Sequence, residues 1–368
     1  MSLRILVVGA GIAGLAAARG LRIAGFRPEV VEALPATVVP GAGIHLPGNA
    51  SRALRLLGLD VPLRPLGDLI FRQVFLDTRG RELFEMDAAG LWAGVGESRA
   101  LSRADLQQVL LTGVGGEVRF ETEVRDVQIV DGAAKVEFST GGIAEYDLVI
   151  GADGRRSLIR DKVGLGGPAV PTGQIVYRSV VTGGPPLTDW TAVLGRRSSF
   201  VVMPMGGRRL YCYADETAPD SPSPEDPIER LRDLFGAFGG PVPAILDKIE
   251  KVQVARTDEV VLPAWSKGPV VLVGDAAHAT APTLAQGAAM SFEDGYVLGQ
   301  ELRSAAGDIP AALRAYEQRR RPRCAEVRER TRERDRARDV PPSLRDPMLR
   351  RRGLRIFTDH YRALVTPV

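Results

Sequence analysis

The chain has 368 residues, 45% hydrophobic and 25% charged, which is room for two globular domains, and no apolar run reaches the ~18 residues needed to cross a bilayer. Two distant cysteines, Cys212 and Cys324, suggest a reducing cytoplasm, and the three histidines, His45, His278 and His360, are too few for a multi-histidine metal centre. The net charge of +3 conceals 16 arginines against 7 acids in residues 314–356, where Glu326, Glu329, Glu333 and Asp335 interleave with arginines at helical spacing; this predicts a solvated, ion-paired helix and no nucleic-acid surface.

An apolar strand at residues 5–8 runs into Gly9-Ala10-Gly11-Ile12-Ala13-Gly14 and then an Ala/Leu-rich helix. Gly9 permits the tight turn, Gly11 close approach of backbone to a pyrophosphate, and Gly14 close packing of helix on strand. The helix N-terminus supplies free N–H groups and the positive end of its dipole for phosphate. A second strand, 28–31, ends in Glu32, whose carboxylate suits a ribose 2′-OH and disfavours a 2′-phosphate, as in FAD or NAD. The same glycine spacing argues against reading residues 5–18 as an export signal.

Residues 41–50 form a glycine-rich loop around Gly43, Ile44 and His45, followed by a short helix ending at Gly58. Residues 71–97 alternate as strands, and Ser102 is an N-cap for a helix carrying Arg103 and Gln107 on one face. Strand-like segments at 118–120, 124–130 and 134–138, closed by 146–150, suggest a β-meander. A strand–turn–helix with Asp153, Gly154, Ser157 and Arg160 then offers a second phosphate or ribose loop. Residues 171–263 alternate as a second sheet, with a Pro/Asp/Glu/Ser linker at 216–227 and a helix around 228–238. On that sheet Tyr211 and Tyr213 are read as lying on opposite faces of one strand, with at most one of them facing a pocket. The chain returns to its first texture at 270–278, a buried strand ending in Gly274-Asp275, and continues through Pro282 and Gly287 into a helix. His278 is expected to cap or pack beneath the Gly-Asp turn.

Gly9–Gly14 with Glu32, residues 147–160, and residues 274–294 occur in the order and spacing of the FAD-dependent aromatic monooxygenases of the para-hydroxybenzoate and salicylate hydroxylase type, which residues 3–335 resemble. The resemblance implies an α/β fold: a Rossmann-like FAD-binding domain of the glutathione-reductase type, a mixed-β substrate domain and a C-terminal helix. The expected division assigns residues 1–70, 98–170 and 265–345 to the FAD-binding domain, 71–97 and 171–264 to the substrate domain, and 346–368 to a tail. It places FAD contacts in the first motif (Gly9, Gly11, Ile12, Ala13, Gly14, Glu32 and Ala33) and in the loop beside the flavin (Gly43 and Ile44). Further contacts fall at Arg103, Gln107 and Val124, at Asp153 and Gly154, and at Asp275, Pro282, Gly287 and Ala288. Asp153, Gly154, Ser157 and Arg160 would also serve the nicotinamide cofactor. Departures from the family pattern stand at Ala285, where glycine is usual, at Ala289, where asparagine is common, and at Gly48, which separates Pro47 from Asn49.

The function implied is hydroxylation or epoxidation of a small aromatic or polycyclic compound with O₂, through a flavin C4a-hydroperoxide. No second GxGxxG is present, so NADH or NADPH would dock transiently on the FAD domain. His45 is the expected base, with Tyr213 as a second catalytic candidate. A monomer or homodimer is expected. The alternatives are a reductase or oxidase of the same fold and a non-catalytic binding protein; a halogenase is disfavoured because Trp92, Trp190 and Trp265 are isolated.

Overall fold

The first apolar run becomes strand Ile5–Val8, at the middle of a six-stranded sheet in the computed structural model, which describes residues 3–37, 42–218 and 225–368. Gly41 of the glycine-rich loop and residues 219–224 of the linker lie outside these described residues. The strand order is Ser266–Lys267, Val270–Leu272, Leu148–Gly151, Ile5–Val8, Glu29–Val31, Val118–Arg119. All neighbours pair in parallel except the edge hairpin formed by the first two. The chain leaves Ile5–Val8 for Glu29–Val31 on one side and later fills the other side, so the ends of the central strands open a crevice at a topological switch point.

Glycines set the contacts around this sheet. A Cβ on Gly14 would collide with the Gly9 carbonyl, so the helix Ile12–Ile23 lies directly on the turn that precedes it. Farther along, Gly20, Gly295 and Gly299 bring Ile12–Ile23 into backbone contact with the helix Gly287–Ser304.

The meander of Val124–Val130, Ala133–Phe138 and Ile143–Tyr146 is present, but residues 148–151 leave it to enter the six-stranded sheet. A separate seven-stranded sheet takes its strands from 72–87 and 170–259, in the order Gln253–Glu259, Val170–Thr182, Arg209–Thr217, Ser198–Pro204, Trp190–Leu194, Arg72–Asp77, Glu82–Asp87. One face, with Tyr177, Phe200, Val202 and Cys212, packs under the helices Pro227–Phe235 and Val242–Leu246. The other face looks toward the crevice. A three-stranded sheet of Gly43–Leu46, Arg99–Ser102 and Asp68–Leu69 lies against the seven-stranded one, with Gly43–Leu46 meeting Val170–Thr182 and Arg209–Thr217.

Of the residues expected to form a tail, 346–368, those up to Val365 belong to a 24-residue helix, Pro342–Val365. Leu349, Gly353, Phe357, Tyr361 and Leu364 form its buried stripe at three- and four-residue spacing. Gly353 abuts the Phe84 ring, and Phe357 packs edge-on against Phe75 and Phe84 at 4.6 and 4.8 Å. The terminal carbonyls of a helix lack intrahelical partners; here Arg52 donates to Val365 and Thr366 at 2.7 Å each and to Leu364 at 3.0 Å, and Arg323 to Ala363 at 2.9 Å.

The arginine-rich stretch is likewise only partly solvated. Arg330 with Glu333 and Arg336 with Glu329 form the exposed ion pairs expected. Arg320 is fully buried, and Arg338 reaches Asp215 on the seven-stranded sheet. These side chains carry charge inward because carboxylates and carbonyls wait there to receive it.

Gly295→Val places a branched side chain where the Ala16 carbonyl lies. It should cost about 3 kcal/mol of stability in urea denaturation, whereas the same change at exposed Gly167, which has no left-handed backbone, meets no neighbouring atom within 4 Å.

Candidate active site

Three loops leave the carboxyl ends of the central strands together: 9–14 after Ile5–Val8, 152–157 after Leu148–Gly151, and 274–278 after Val270–Leu272. Backbone bonds join them: Gly9 N–H donates to Val31, Ala152 N–H to Val8 and Val273 N–H to Gly151. They open onto a cavity of about 680 Å³ whose opposite wall is the inner face of the seven-stranded sheet.

Of the residues singled out in the sequence, Gly11, Ile12, Ala13, Gly43, Ile44 and His45 line this cavity. Arg103, Gly154 and Asp275 line it as well, as do Pro282, Gly287, Ala288 and Tyr213. Gly9 and Gly14 are spent on internal packing. Glu32 accepts from the N–H groups of Ala10 (2.8 Å) and Leu34 (3.0 Å), and Gln107 donates to the Ala10 carbonyl (2.6 Å). Both therefore grip the glycine loop from either side of one residue; with Ala33 and Val124 they stand off the cavity wall. Asp153 accepts from Ile159 N–H at 3.1 Å, and its other carboxylate oxygen is buried without a partner. Burial outweighs its local hydrogen bonds and raises its pKa. Ser157 caps the following short helix, and Arg160 is buried with its donors on the Gly167, Ala276 and Arg155 carbonyls. Through the Arg155 and Ala276 carbonyls, Arg160 braces the second and third loops against each other.

A dinucleotide fits the crevice on two observations. A Cβ on Gly11 would meet no protein atom within 4 Å, so this glycine serves no internal contact and leaves open space facing the cavity. The helix that starts at Ile12 has no side-chain cap and no acid in its first turn, which leaves its first N–H groups for an anion.

The departures from the family pattern have local explanations. Ala285 adopts a left-handed backbone, φ +54°, where glycine would be unstrained. A Cβ on Gly48 would collide with Trp92 and the Gly96 carbonyl, so a side chain there is excluded. The neighbouring Asn49 exchanges amide hydrogen bonds with Gln286 at 2.8 and 3.3 Å, tying the 47–50 segment to the loop before Gly287. Ala289 is fully buried in Gly287–Ser304, and nothing in the structure explains its replacing asparagine.

His45 sits on strand Gly43–Leu46 with Nε2 2.9 Å from Ser98 Oγ, and burial pushes its pKa down to about 4. Burial thus favours the neutral imidazole, a weaker base than a free one that still offers one donor and one acceptor nitrogen. Tyr211 and Tyr213 both line the cavity, correcting the opposite-face expectation, because residues two apart on a strand share a face; Cys212 between them points into the other core. The Tyr213 hydroxyl is buried without a partner, and burial, with Asp215 adding, keeps the phenol protonated far above its usual range.

The sequence reading overlooked Arg178 and Trp190. Arg178 lies over the Tyr213 ring, 5.9 Å from its centroid, and forms no ion pair among the described residues. Arg103 feels it: burial, and then Arg178, lower the Arg103 pKa against the opposing pull of Asp275 and Tyr211. The alternation of 176 and 178 with buried 175 and 177 was the available signal.

His278 packs under the Gly-Asp turn as expected. Its Nε2 lies 2.6 Å from Asp294, which also accepts from Gly274 N–H at 2.9 Å and Arg320 Nε at 2.8 Å. Burial works to raise the Asp294 pKa, but His278 and Arg320 prevail and hold it well below the usual carboxylate range. Its stabilising effect is in place above the ordinary carboxylate pKa and is lost as pH falls toward the depressed one. Asp294→Asn should cost about 3–5 kcal/mol at neutral pH and flatten the acid limb of stability against pH, both read by urea denaturation.

The FAD binding domain family model matches residues 2–331. A FAD-dependent urate hydroxylase of Mycolicibacterium vanbaalenii is 31% identical over 347 residues, covering 90% of this chain and 88% of that protein. The 3-amino-4-hydroxybenzoate 2-monooxygenase of Streptomyces cremeus is 34% identical over 355 residues, covering 90% of this chain and 86% of that protein. Klebsiella pneumoniae HpxO, solved in complex with FAD and uric acid, superposes with a TM-score of 0.89 at 26% identity, over 99% of this chain and 97% of that one. With the glycine cradle, the strand-end crevice and this likeness over nearly its whole length, the chain belongs to the FAD-dependent aromatic monooxygenases.

Proposed function

We propose that this monooxygenase uses NADH or NADPH and O₂ to hydroxylate a small, electron-rich aromatic or heteroaromatic compound that carries or acquires negative charge on its ring system. The observation that carries this reading is the presence, on the wall of one cavity, of two guanidinium groups, Arg103 and Arg178, the latter without an ion pair among the described residues. A like-charged pair, Arg103 and Arg178, facing a desolvated space favours an anionic ligand. The relatives named for urate and an aminohydroxybenzoate support the same class.

When bound, FAD accepts hydride from the reduced nicotinamide and activates O₂ for transfer of one oxygen atom to the ring. The protein binds and orients. The N–H groups at the start of Ile12–Ile23 would hold the pyrophosphate, Asp275 and Arg103 would flank the cofactor, and the Gly43-Ile44 backbone would face the flavin ring. Strands from 72–87 and 170–259 supply the substrate side. There Arg178 lowers the pKa of a phenol or enol, so that the ring is presented in its more nucleophilic form, and the Tyr213 ring backs that guanidinium. His45, neutral above pH 4, orients the substrate from the opposite side through a ring nitrogen. Trp190, Met203 and Phe357 keep the cavity wall apolar and exclude water.

Gly11→Val fills the open space at the cradle and should purify folded but depleted of flavin, measured by absorbance at 450 nm against protein; full flavin occupancy would refute the cradle assignment. Arg178→Gln and His45→Ala should keep FAD but lose substrate oxygenation by about 10- to 100-fold, with reducing equivalents escaping as hydrogen peroxide. Product and peroxide are measured together under ¹⁸O₂. Because His45 titrates near 4, the wild-type kcat profile should show no limb between pH 6 and 8 that His45→Ala removes. Product without ¹⁸O favours a reductase or oxidase of the same fold, and protein without bound flavin favours a binding protein.

A further inference from the structure

Buried polar side chains are hydrogen-bonded as a rule. Gln73, on strand Arg72–Asp77, departs from it: the residue is only 5% exposed, and its side-chain amide forms no hydrogen bond among the described residues. Neither amide atom is closed off in the way the Tyr213 hydroxyl is, so donor and acceptor open onto the cavity that Gln73 lines. Its neighbours on the same face are apolar. Trp190 and Met86 stand across the ladder on either side, and Phe75 follows two residues on. A carboxamide in such a row costs stability unless its bonds are completed from the cavity. Water can complete them, and a ligand that displaces the water must reproduce those bonds or lose affinity.

The strand order says which part of a ligand Gln73 meets. A Cβ on Gly43 would strike the Tyr211 ring, so Tyr211 marks the side where the Gly43-Ile44 backbone would face the flavin. Three strand steps separate Arg209–Thr217, which carries Tyr211, from Arg72–Asp77. At about 4.8 Å per step that is roughly 14 Å between backbones, and Arg178 lies one strand farther. A ligand that touches both ends is therefore longer than one ring. Between them the Trp190 indole, 6.5 Å from the His45 ring and 5.2 Å from that of Phe75, gives a flat ligand an aromatic wall.

We propose that Gln73 reads the remote edge of the substrate by pairing with a ring N–H beside a carbonyl, so that the compound oxidised is a fused heteroaromatic lactam with its acidic hydroxyl at the other end. A carboxamide presents an acceptor and N–H donors in one plane, the complement of a lactam edge. Being neutral, it leaves the negative charge to Arg103 and Arg178, and the two ends of the cavity read different chemistry. The lactam assignment rests on the cavity being the substrate pocket of the proposed function.

The test titrates the FAD-loaded full chain by calorimetry with 6-hydroxy-2-quinolone and 6-hydroxycoumarin, which differ only in a ring N–H against a ring oxygen. The wild-type protein should bind the quinolone roughly tenfold more tightly, because the ring oxygen of the coumarin leaves the Gln73 carbonyl facing another acceptor. Gln73→Met, similar in volume but unable to pair with the lactam, should bind both about equally. Arg178→Gln should weaken both and keep their ratio. A glutamine that only supports the strand would lower the melting temperature of Gln73→Met and leave the ratio unchanged. If Gln73→Met does not purify with flavin, Gln73→Leu replaces it. An unchanged ratio in the apolar variant, equal wild-type affinities, or no binding of either probe overturns the lactam assignment. Wild-type affinities retained in Arg178→Gln would instead overturn the anion-binding reading of the proposed function, with the Gln73 ratio still standing.

Discussion

Asp294 is a carboxylate with no solvent access that accepts from a backbone N–H, an imidazole and a guanidinium at once. Each donor belongs to a different part of the chain: Gly274 begins the third crevice loop, His278 ends the short helix after it, and Arg320 comes from the long helix Ile309–Arg336. A buried charge is tolerable only when its partners are fully assembled. The crevice loop therefore takes its native shape only once both helices are docked, and Arg320 extends the same demand to Glu293, at 2.6 Å. Glu32 does for the first loop what Asp294 does for the third, holding Ala10 N–H from outside the cavity. The backbone of the crevice is in both cases shaped by a carboxylate that the cavity itself does not expose.

The parts legible in the sequence were those where local geometry and chemistry coincide. Gly9, Gly11 and Gly14 follow from what a tight turn, an open cradle and a close helix each demand, and the strand-turn signature of Gly274-Asp275 follows from the same logic. Gln107 was placed on the correct helix face, though its partner turns out to be the Ala10 carbonyl. The miss at Tyr211 and Tyr213 was one of strand period. The misses at Arg178 and Asn49 have another cause: their significance depends on residues 35 and 237 positions away, Tyr213 and Gln286, which no local pattern connects.

The last helix was misread for a third reason. Its arginines suggested a solvated segment, and a residue's charge dominates composition even when its guanidinium is destined for a carbonyl or a ring. Arg345 is buried against carbonyls, and Arg334 caps the face of Phe357. The apolar stripe from Leu349 to Leu364 was present in the sequence at helical period, beneath that charge.

The seven-stranded sheet has two faces with separate duties. Val176, Arg178, Trp190, Ala192, Met203 and Tyr213 face the cavity, while their chain neighbours Tyr177, Val193, Val202 and Cys212 seal a core under two helices. Strand alternation thus uncouples drift in one set from drift in the other. Over evolutionary time the cavity-facing positions are free to be rewritten one by one without loosening the core behind them. A lineage keeping this scaffold can therefore change what it oxidises faster than it changes how it folds, and relatives a third identical can share the fold while their names record different rings.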